Sequence, residues 1–429
     1  MNTEELLERI LAEGRRRAEE VEVFCGEGIG ISAEIKQAII GVAEESRIRG
    51  LSIRTIDHGR IGVSGTGDPA KWQACLDAAL ASGRIADPQE WHGLPGPAEI
   101  DRKPLSADPA LAVDAESAAG LIRQLLEGAS AYPVEVTGGS AGLSRSVITI
   151  ANTKGAYYSM ERTHAGVSLE TISGQSTGYE FASSPFLEDI DAGRVGEQAA
   201  FFAAHSVGGR DIESGAYDVI LSPIAAAQLI GTVFLQGLSG KNVKAGRSYL
   251  AGKLGEQCTD ERLSLYDDPF ARGIGSTAWD AEAVPTRRLD FVREGVLQCF
   301  AYDLRTAYRY GEQTTASAVR SGGGAPGIGV HNLIVDGPAS EIRDERAVYI
   351  HDVVGAHTAN PLSGDFSVEV SNPFWIEGGE FGEAIRSAMY AGNVFEMLGE
   401  IGGLGNDPRI VGRLILPSIR LNNQQIIGK

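Results

Sequence analysis

Apolar residues near the start of the chain recur three and four positions apart, which predicts an amphipathic helix. They are Leu6, Leu7, Ile10 and Leu11. After residue 20 the pattern changes to alternation, in the pairs Val21/Val23, Ile29/Ile31 and Leu51/Ile53. Alternation with a period of two is typical of strands that bury one face. Residues 57–60, Asp-His-Gly-Arg, predict a hairpin turn that leads into a further strand.

Other helices are indicated by the residues that start them. Asp68 and Pro69 supply an N-cap and a first-turn proline, and Asp114 caps a helix with an apolar stripe over 121–126. Another helix is predicted around 195–204, and Ser222-Pro223 begins one that runs to about residue 238. The remaining signals are those of strands. They are predicted around 134–136, 147–148, 167–169 and 217–221, with a hairpin loop at 152–155.

Five prolines between residues 88 and 109 interrupt these patterns and predict a linker or an extended crossing segment. Since 429 residues exceed one ordinary core, we expect three domains. These are an N-terminal α+β domain (1–105) ending in the proline-rich linker, a middle α+β domain (110–213) and a C-terminal β-rich domain (214–429). The predicted fold class is α+β, with antiparallel hairpins in the first two units and a large β-rich region after them.

Composition narrows the functional classes. With 38 basic and 57 acidic residues the net charge is −19, which disfavours direct nucleic-acid binding. The most apolar stretch, 224–235, is too short for the roughly 20 residues that cross a bilayer, and no signal peptide is visible. We therefore expect a soluble cytoplasmic protein with no membrane contact. Its four cysteines are far apart and are expected to be free thiols.

Several motifs suggest chemistry but fit structural roles better. Residues 174–178 match GxSxG, yet no helical stripe follows the serine, so a glycine-punctuated strand is the preferred interpretation. The glycine-rich stretch 322–329 lacks the GK[ST] of a phosphate loop and is interpreted as a mobile loop beside a cleft. His351 and His357, six positions apart, share no geometry that closes a zinc site. The chain contains neither HExxH nor HExxxH.

A series of short motifs nevertheless spans nearly the whole chain in order. They are GLSIR at 50–54, DHGRIG at 57–62, ANTKG at 151–155, DDP at 267–269, TRR at 286–288, EGVL at 294–297, NPLSGDFS at 360–367 and WIEGG at 375–379. Through these motifs the chain resembles the TldD/PmbA family, once called modulators of DNA gyrase.

The resemblance implies a peptidase assembly of two related subunits. TldD-type chains carry HExxxH on a helix and a later cysteine ligand, and we place the two histidines four residues apart on one helical face, where they hold zinc. The equivalent helix here follows Ser222-Pro223, and Ala227, Gln228 and Thr232 stand where His, Glu and His are expected. No cysteine follows Cys299. This departure matches the TldE branch of the family.

We therefore expect a metal-ligand-lacking subunit of a TldD/TldE-type metallopeptidase complex that acts on unfolded peptides, with no catalytic or metal residue of its own. Zinc is expected in a TldD-type partner, and a homodimer when the chain is made alone. His331, Asn332 and Asp365 are the predicted cleft residues. A metal-free hydrolase that acts alone and a non-enzymatic peptide-binding adaptor remain the alternatives.

Overall fold

Two long hairpins dominate the first half of the chain in the computed structural model, which describes residues 2–36, 38–100, 102–320 and 324–428. Strands of 17 to 19 residues extend about 55–65 Å at the usual rise per residue. The elements are α1 (Thr3–Gly14), β1 (Glu20–Lys36), β2 (Ile39–Asp57), β3 (Arg60–Thr66), α2 (Trp72–Ile85), α3 (Ala115–Ala129), β4 (Glu135–Asn152), β5 (Tyr157–Ser173), β6 (Ser176–Ser184) and α4 (Ala192–His205). The predicted helices and hairpin turns of this half are confirmed.

These strands form one antiparallel sheet in the order β3-β2-β1-β4-β5-β6. The order of elements helix–three strands–helix occurs twice, and β1 pairs with β4 at the centre. The expected N-terminal and middle domains therefore share one continuous sheet. Pairs of apolar positions predicted as separate strands, such as Val136 and Val147, lie on a single strand.

The proline-rich segment contains neither helix nor strand in its described residues, 87–100 and 102–114, and is held against the sheet. Glu20 on β1 accepts hydrogen bonds of 2.9 Å from the indole of Trp91 and from the backbone of Leu94. The segment therefore crosses from the first unit to the second as an extended, anchored chain.

The second half of the chain is rich in short strands. Its elements are β7 (Gly215–Leu221), α5 (Pro223–Leu229), a π-helical turn (Ile230–Phe234), α6 (Leu235–Leu238), α7 (Gly240–Lys244), β8 (Ser264–Asp267), β9 (Leu289–Arg293), β10 (Val296–Leu297), α8 (Leu304–Tyr310), β11 (Ala318–Val319), β12 (Gly327–Ile328), β13 (Leu333–Asp336), β14 (Ala347–Val354), β15 (Asp365–Glu377), β16 (Glu380–Ala384), β17 (Met389–Asn393), α9 (Val394–Met397), β18 (Ile401–Leu404), β19 (Arg409–Val411), β20 (Leu414–Leu416) and β21 (Ile419–Ile427). Short 3-10 turns lie at Pro69–Lys71, Leu187–Asp189 and Ala356–Thr358.

Two larger sheets surround the helix at 223–238. One has the order β10-β9-β8-β13-β20-β19, and the other the order β14-β7-β21-β17-β15-β16. An additional pairing of β14 with β15 closes five strands of the second sheet into a ring. Leu229, Val233 and Phe234 of the helix are fully buried among the strands. The α+β class with a β-rich C-terminal region is confirmed.

Gly174 and Gln175 form the turn between β5 and β6, so Ser176 opens a strand and not a nucleophile elbow. Residues 322 and 323 of the predicted loop lie outside the described residues, while Gly327–Ile328 form β12. The four cysteines are free thiols, and Cys25 and Cys75 are buried. None of the described helices is both long and apolar enough to traverse a membrane.

Candidate functional site

The helix that follows β7 is fixed at its start by one hydroxyl. The Ser222 side chain accepts hydrogen bonds from the backbone of Ile224 and Ala225, at 3.1 and 3.2 Å, and donates to the carbonyl of His351 on β14. Pro223 occupies the first turn, where its missing N–H leaves no bond unmade. Cap and strand together set the position of residues 227–232.

The histidines of HExxxH are five residues apart, not four as assumed above. A regular α-helix places side chains at such a spacing about 140° apart around its axis. Here the backbone N–H of Leu235 reaches the carbonyl of Ile230, five residues back, in the π-helical turn. This wider winding reduces the angle between Ala227 and Thr232.

The side chains at these positions do not fit a metal. Ala227 presents a buried methyl group, which has no lone pair. The Gln228 amide donates to Asp352 Oδ1 at 2.5 Å, and Thr232 is half-buried. Within the part of the chain that the structure describes, one close group of possible ligands occurs, Glu19 with Asp57 and His58, all exposed. It uses no residue of this helix.

A buried polar cluster joins the first sheet to the C-terminal strands beside Gln228. Glu180 on β6 is 1% exposed and pairs with Arg409 Nη2 at 2.5 Å. His351 places Nε2 at 3.4 Å from Glu180 and 3.2 Å from the carbonyl of Tyr179. Its ring stacks on Phe202 with centroids 3.7 Å apart.

Burial controls the charges of this cluster. It lowers the pKa of His351 although Glu180 opposes the shift, and it raises the pKa of Asp352, an effect that Glu180 strengthens. Glu180 Oε2 and His351 Nδ1 have no hydrogen-bond partner among the described residues. Glu180 and Arg409 gave no signal in the sequence, because they meet only through the fold.

Two of the three predicted cleft residues lie together in the core. His331 and Asn332 are 3% and 0% exposed, and their backbone N–H groups donate to Asp267. The Asn332 side chain accepts from Gly275 at 2.9 Å, and His331 Nδ1 lies 2.9 Å from Asp267. They therefore fasten β8 to the start of β13.

Asp365 is not brought near them. It is exposed at the start of β15, where Ser363 Oγ donates to it at 2.7 Å and Asn393 Nδ2 at 2.9 Å. These bonds lower its pKa. The residue shapes a turn in the ring of strands.

An open groove of about 670 Å³ lies between the proline-rich segment and β5, and sequence reasoning did not identify it. Arg102 and Lys103 line it on one side, and Tyr157, Tyr158 and Trp279 supply aromatic surface. The rings of Tyr158 and Trp279 stack at 6.1 Å. The adjacent Tyr157 and Tyr158, which follow the hairpin loop at 152–155, are the sequence feature that could have indicated this groove. Its volume lies within the range of roughly 300–1,000 Å³ that is usual for ligand-binding pockets.

Comparison with known proteins places these features in a family. Residues 214–428 match the model of the PmbA/TldA metallopeptidase C-terminal domain, 101–207 that of the central domain, and 21–83 that of domain 1.

Full-length relatives agree with the domain models. A metalloprotease of Methanothermobacter thermautotrophicus is 25% identical over 94% of this chain and 91% of its own. A metalloprotease PmbA homolog of Haemophilus influenzae is 24% identical over 95% and 92%. The crystal structure of TldE from Thermococcus kodakarensis superposes with a TM-score of 0.90 at 25% identity, covering 99% of this chain and all of that one. The chain belongs to the TldD/PmbA family of metallopeptidases.

Proposed function

We propose that this chain is the metal-ligand-lacking subunit of a two-subunit peptidase, which acts on unfolded peptides together with a TldD-type chain that holds the zinc. The main support for this proposal is the set of side chains at Ala227, Gln228 and Thr232. A methyl group, an amide engaged by Asp352 and a hydroxyl replace two imidazoles and a carboxylate. Zinc requires nitrogen, thiolate or carboxylate donors at close range, so this helix cannot supply its site.

The groove supports a role in holding the peptide. Its walls combine the exposed cations Arg102 and Lys103 with the half-exposed ring of Tyr157. Aromatic surface with a few charges is the usual lining of a peptide-binding groove. We expect an unfolded peptide to lie along β5 and the proline-rich segment while the partner cleaves it.

The test is co-expression with a TldD-type chain. Each chain alone and the purified complex are assayed for bound metal by mass spectrometry and for cleavage of an unfolded peptide. We expect one zinc per complex, carried by the TldD-type chain, and cleavage that a chelator abolishes. A TldD-type chain with glutamine for the HExxxH glutamate is the catalytic control.

The isolated chain decides between the proposal and its competitors. Stoichiometric zinc in this chain by itself, or peptide cleavage that survives chelation, contradicts the proposal. A homodimer of the isolated chain without activity agrees with it. Failure to associate with any TldD-type chain, with peptide binding kept, indicates an adaptor instead.

Variants of this chain then test the groove. Arg102→Ala, combined with Tyr157→Ala, is expected to lower cleavage by the complex at least fivefold without changing its zinc content. Arg123→Ala, on the exposed face of α3, removes the same charge elsewhere and should change nothing. Equal loss in both variants, or no loss in either, would remove the groove from the proposal.

A further inference from the structure

A small, partly open cavity lies where the first sheet meets the C-terminal half of the chain. Its volume is about 50 Å³. Phe24 and Ile148 close it on the side of the sheet, and Trp279 closes it on the other side. A single water needs roughly 10–15 Å³ of such space, so the cavity has room for a small polyatomic group.

Arg162 on β5 enters this cavity without a counter-charge. Its Nε is buried and unpaired among the described residues, and the one charged group that shifts its pKa is another cation, Arg413. Burial and Arg413 lower the pKa of the Arg162 guanidinium to about 10, so it remains a cation at neutral pH. The residue as a whole is half-buried. A guanidinium with a buried, unpaired nitrogen and no counter-charge is unfavourable unless an anion or ordered water meets its donors.

Two further lining groups present hydrogen-bond donors or a free ring nitrogen. Arg413 donates one bond, of 2.8 Å, to the carbonyl of Val330. His331 is 3% exposed and uses Nδ1 on Asp267, which leaves Nε2 without a partner in the described structure.

The acid that lines the cavity is already engaged. Asp280 accepts the backbone N–H groups of Glu282, Val284 and Ala318. Burial, with the neighbouring Glu282, raises the pKa of Asp280, which disfavours its charged form. Two other acids lie nearby. Glu22 pairs with Arg320 and Arg54, and Asp267 contacts His331 and attracts Arg413. None of these three carboxyl groups pairs with Arg162 among the described residues.

We propose that this cavity is a binding site for a small oxyanion, a carboxylate or phosphate group held by Arg162 and Arg413 beside the unpaired His331 Nε2. Guanidinium donors match the oxygens of both groups. The bound anion then joins the first sheet to the C-terminal half across their interface.

The oxyanion has two sources. It is a free inorganic ion, or it is the carboxyl end of a peptide, because Trp279 lines both the cavity and the open groove. The second source rests on the proposed function, whereas the anion site itself does not.

The experiment measures thermal unfolding of the full chain in sodium phosphate or acetate against sodium chloride of equal ionic strength. We expect phosphate to raise the wild-type Tm by several degrees, saturating below about 10 mM. Arg162→Met keeps the length of the side chain and removes the charge. Without phosphate its Tm should equal or exceed that of wild type, and phosphate should no longer raise it.

Arg123→Met is the matched control and should respond to phosphate as wild type does. No difference between phosphate, acetate and chloride for wild type, which indicates water only in the cavity, would overturn the proposal. The proposal is also overturned if Arg162→Met has a lower Tm than wild type in chloride and phosphate still raises its Tm as it does for wild type. If Arg162→Met fails to fold, Arg413→Gln is measured in its place, with at least tenfold weaker phosphate binding expected.

Peptides identify the source. If the carboxyl end of a peptide is the ligand, a free-acid peptide binds at least tenfold more tightly than its amidated form, and phosphate competes with it. If the ligand is a free ion, both peptides bind equally and phosphate does not compete. Absence of any peptide binding counts against the proposed function alone, since the phosphate response is measured without peptide.

Discussion

Gly62 on β3 and Gly178 on β6 hold the same place in the two halves of one sheet. Each is the third residue of its edge strand and lies against the helix that follows that strand. A Cβ on Gly62 would lie 2.0 Å from the carbonyl oxygen of Ala79, and one on Gly178 would lie 2.0 Å from that of Ala199. The backbone of strand and helix therefore touch at both sites, which supports the interpretation of the sheet as two related units.

Gly178→Ala and Gly62→Ala are each expected to lower the free energy of unfolding by about 1–3 kcal/mol or more, because a methyl group must push strand and helix apart. Gly120→Ala on α3 is the control. Its nearest neighbour would be Arg123 Nη2 at 3.8 Å, so the change should stabilise the protein by about 0.5–1 kcal/mol. Urea unfolding measures all three, and a loss at Gly120 as large as that at Gly178 contradicts the packing argument.

Arg54 connects the first sheet to the C-terminal half. Its side chain is 2% exposed and donates at 2.7 Å to Glu22 and at 2.5 Å to Glu282. Arg54→Met leaves buried Glu282 without a cation and leaves Glu22 with Arg320 alone, and it is expected to cost about 3–5 kcal/mol. Arg49→Met, at an exposed pair 4.0 Å long, should cost under about 1 kcal/mol. Similar urea midpoints for the two variants would show that the buried pairs contribute little.

His351 should make stability fall on acidification. Burial lowers its pKa in the folded state, so the unfolded chain binds the proton first as the pH falls below about 6.5. The free energy of unfolding then decreases by up to about 1.4 kcal/mol per pH unit until the folded pKa is reached. Urea unfolding at pH 7.5, 6.5 and 5.5 should show a smaller decrease for His351→Gln. His58→Gln, at an exposed histidine, should keep the wild-type slope.

Gln228→Glu places a second carboxylate 2.5 Å from Asp352, whose pKa burial already raises. A carboxyl group whose pKa is raised in the folded state stabilises the fold at low pH. This contribution is lost as the pH rises through the pKa of the folded state. We expect a loss of about 1–3 kcal/mol at pH 8 that shrinks at pH 5, where the pair shares a proton. Gln236→Glu, exposed at the end of the same helix, should show little change at either pH. A pH-independent loss at position 228 means that the carboxyls do not interact.

Local pattern determined much of this protein. Apolar spacing and capping residues such as Asp114 and Ser222 placed the helices, because these signals act within a few residues. The short motifs indicated the family through their resemblance to it. The alanine at position 227 was enough to exclude a zinc ligand at that position.

Tertiary structure decided the rest. Residues that meet in the fold lie more than 200 positions apart in the chain, as do Arg162 and Arg413, and Glu180 and Arg409. No periodic pattern in the sequence indicates such contacts. The sheet shared by two expected domains depends on the pairing of β1 with β4, across more than 100 residues. Burial leaves Arg162 Nε unpaired among the described residues and lowers the pKa of His351. It exists only after those distant segments have packed together and excluded water.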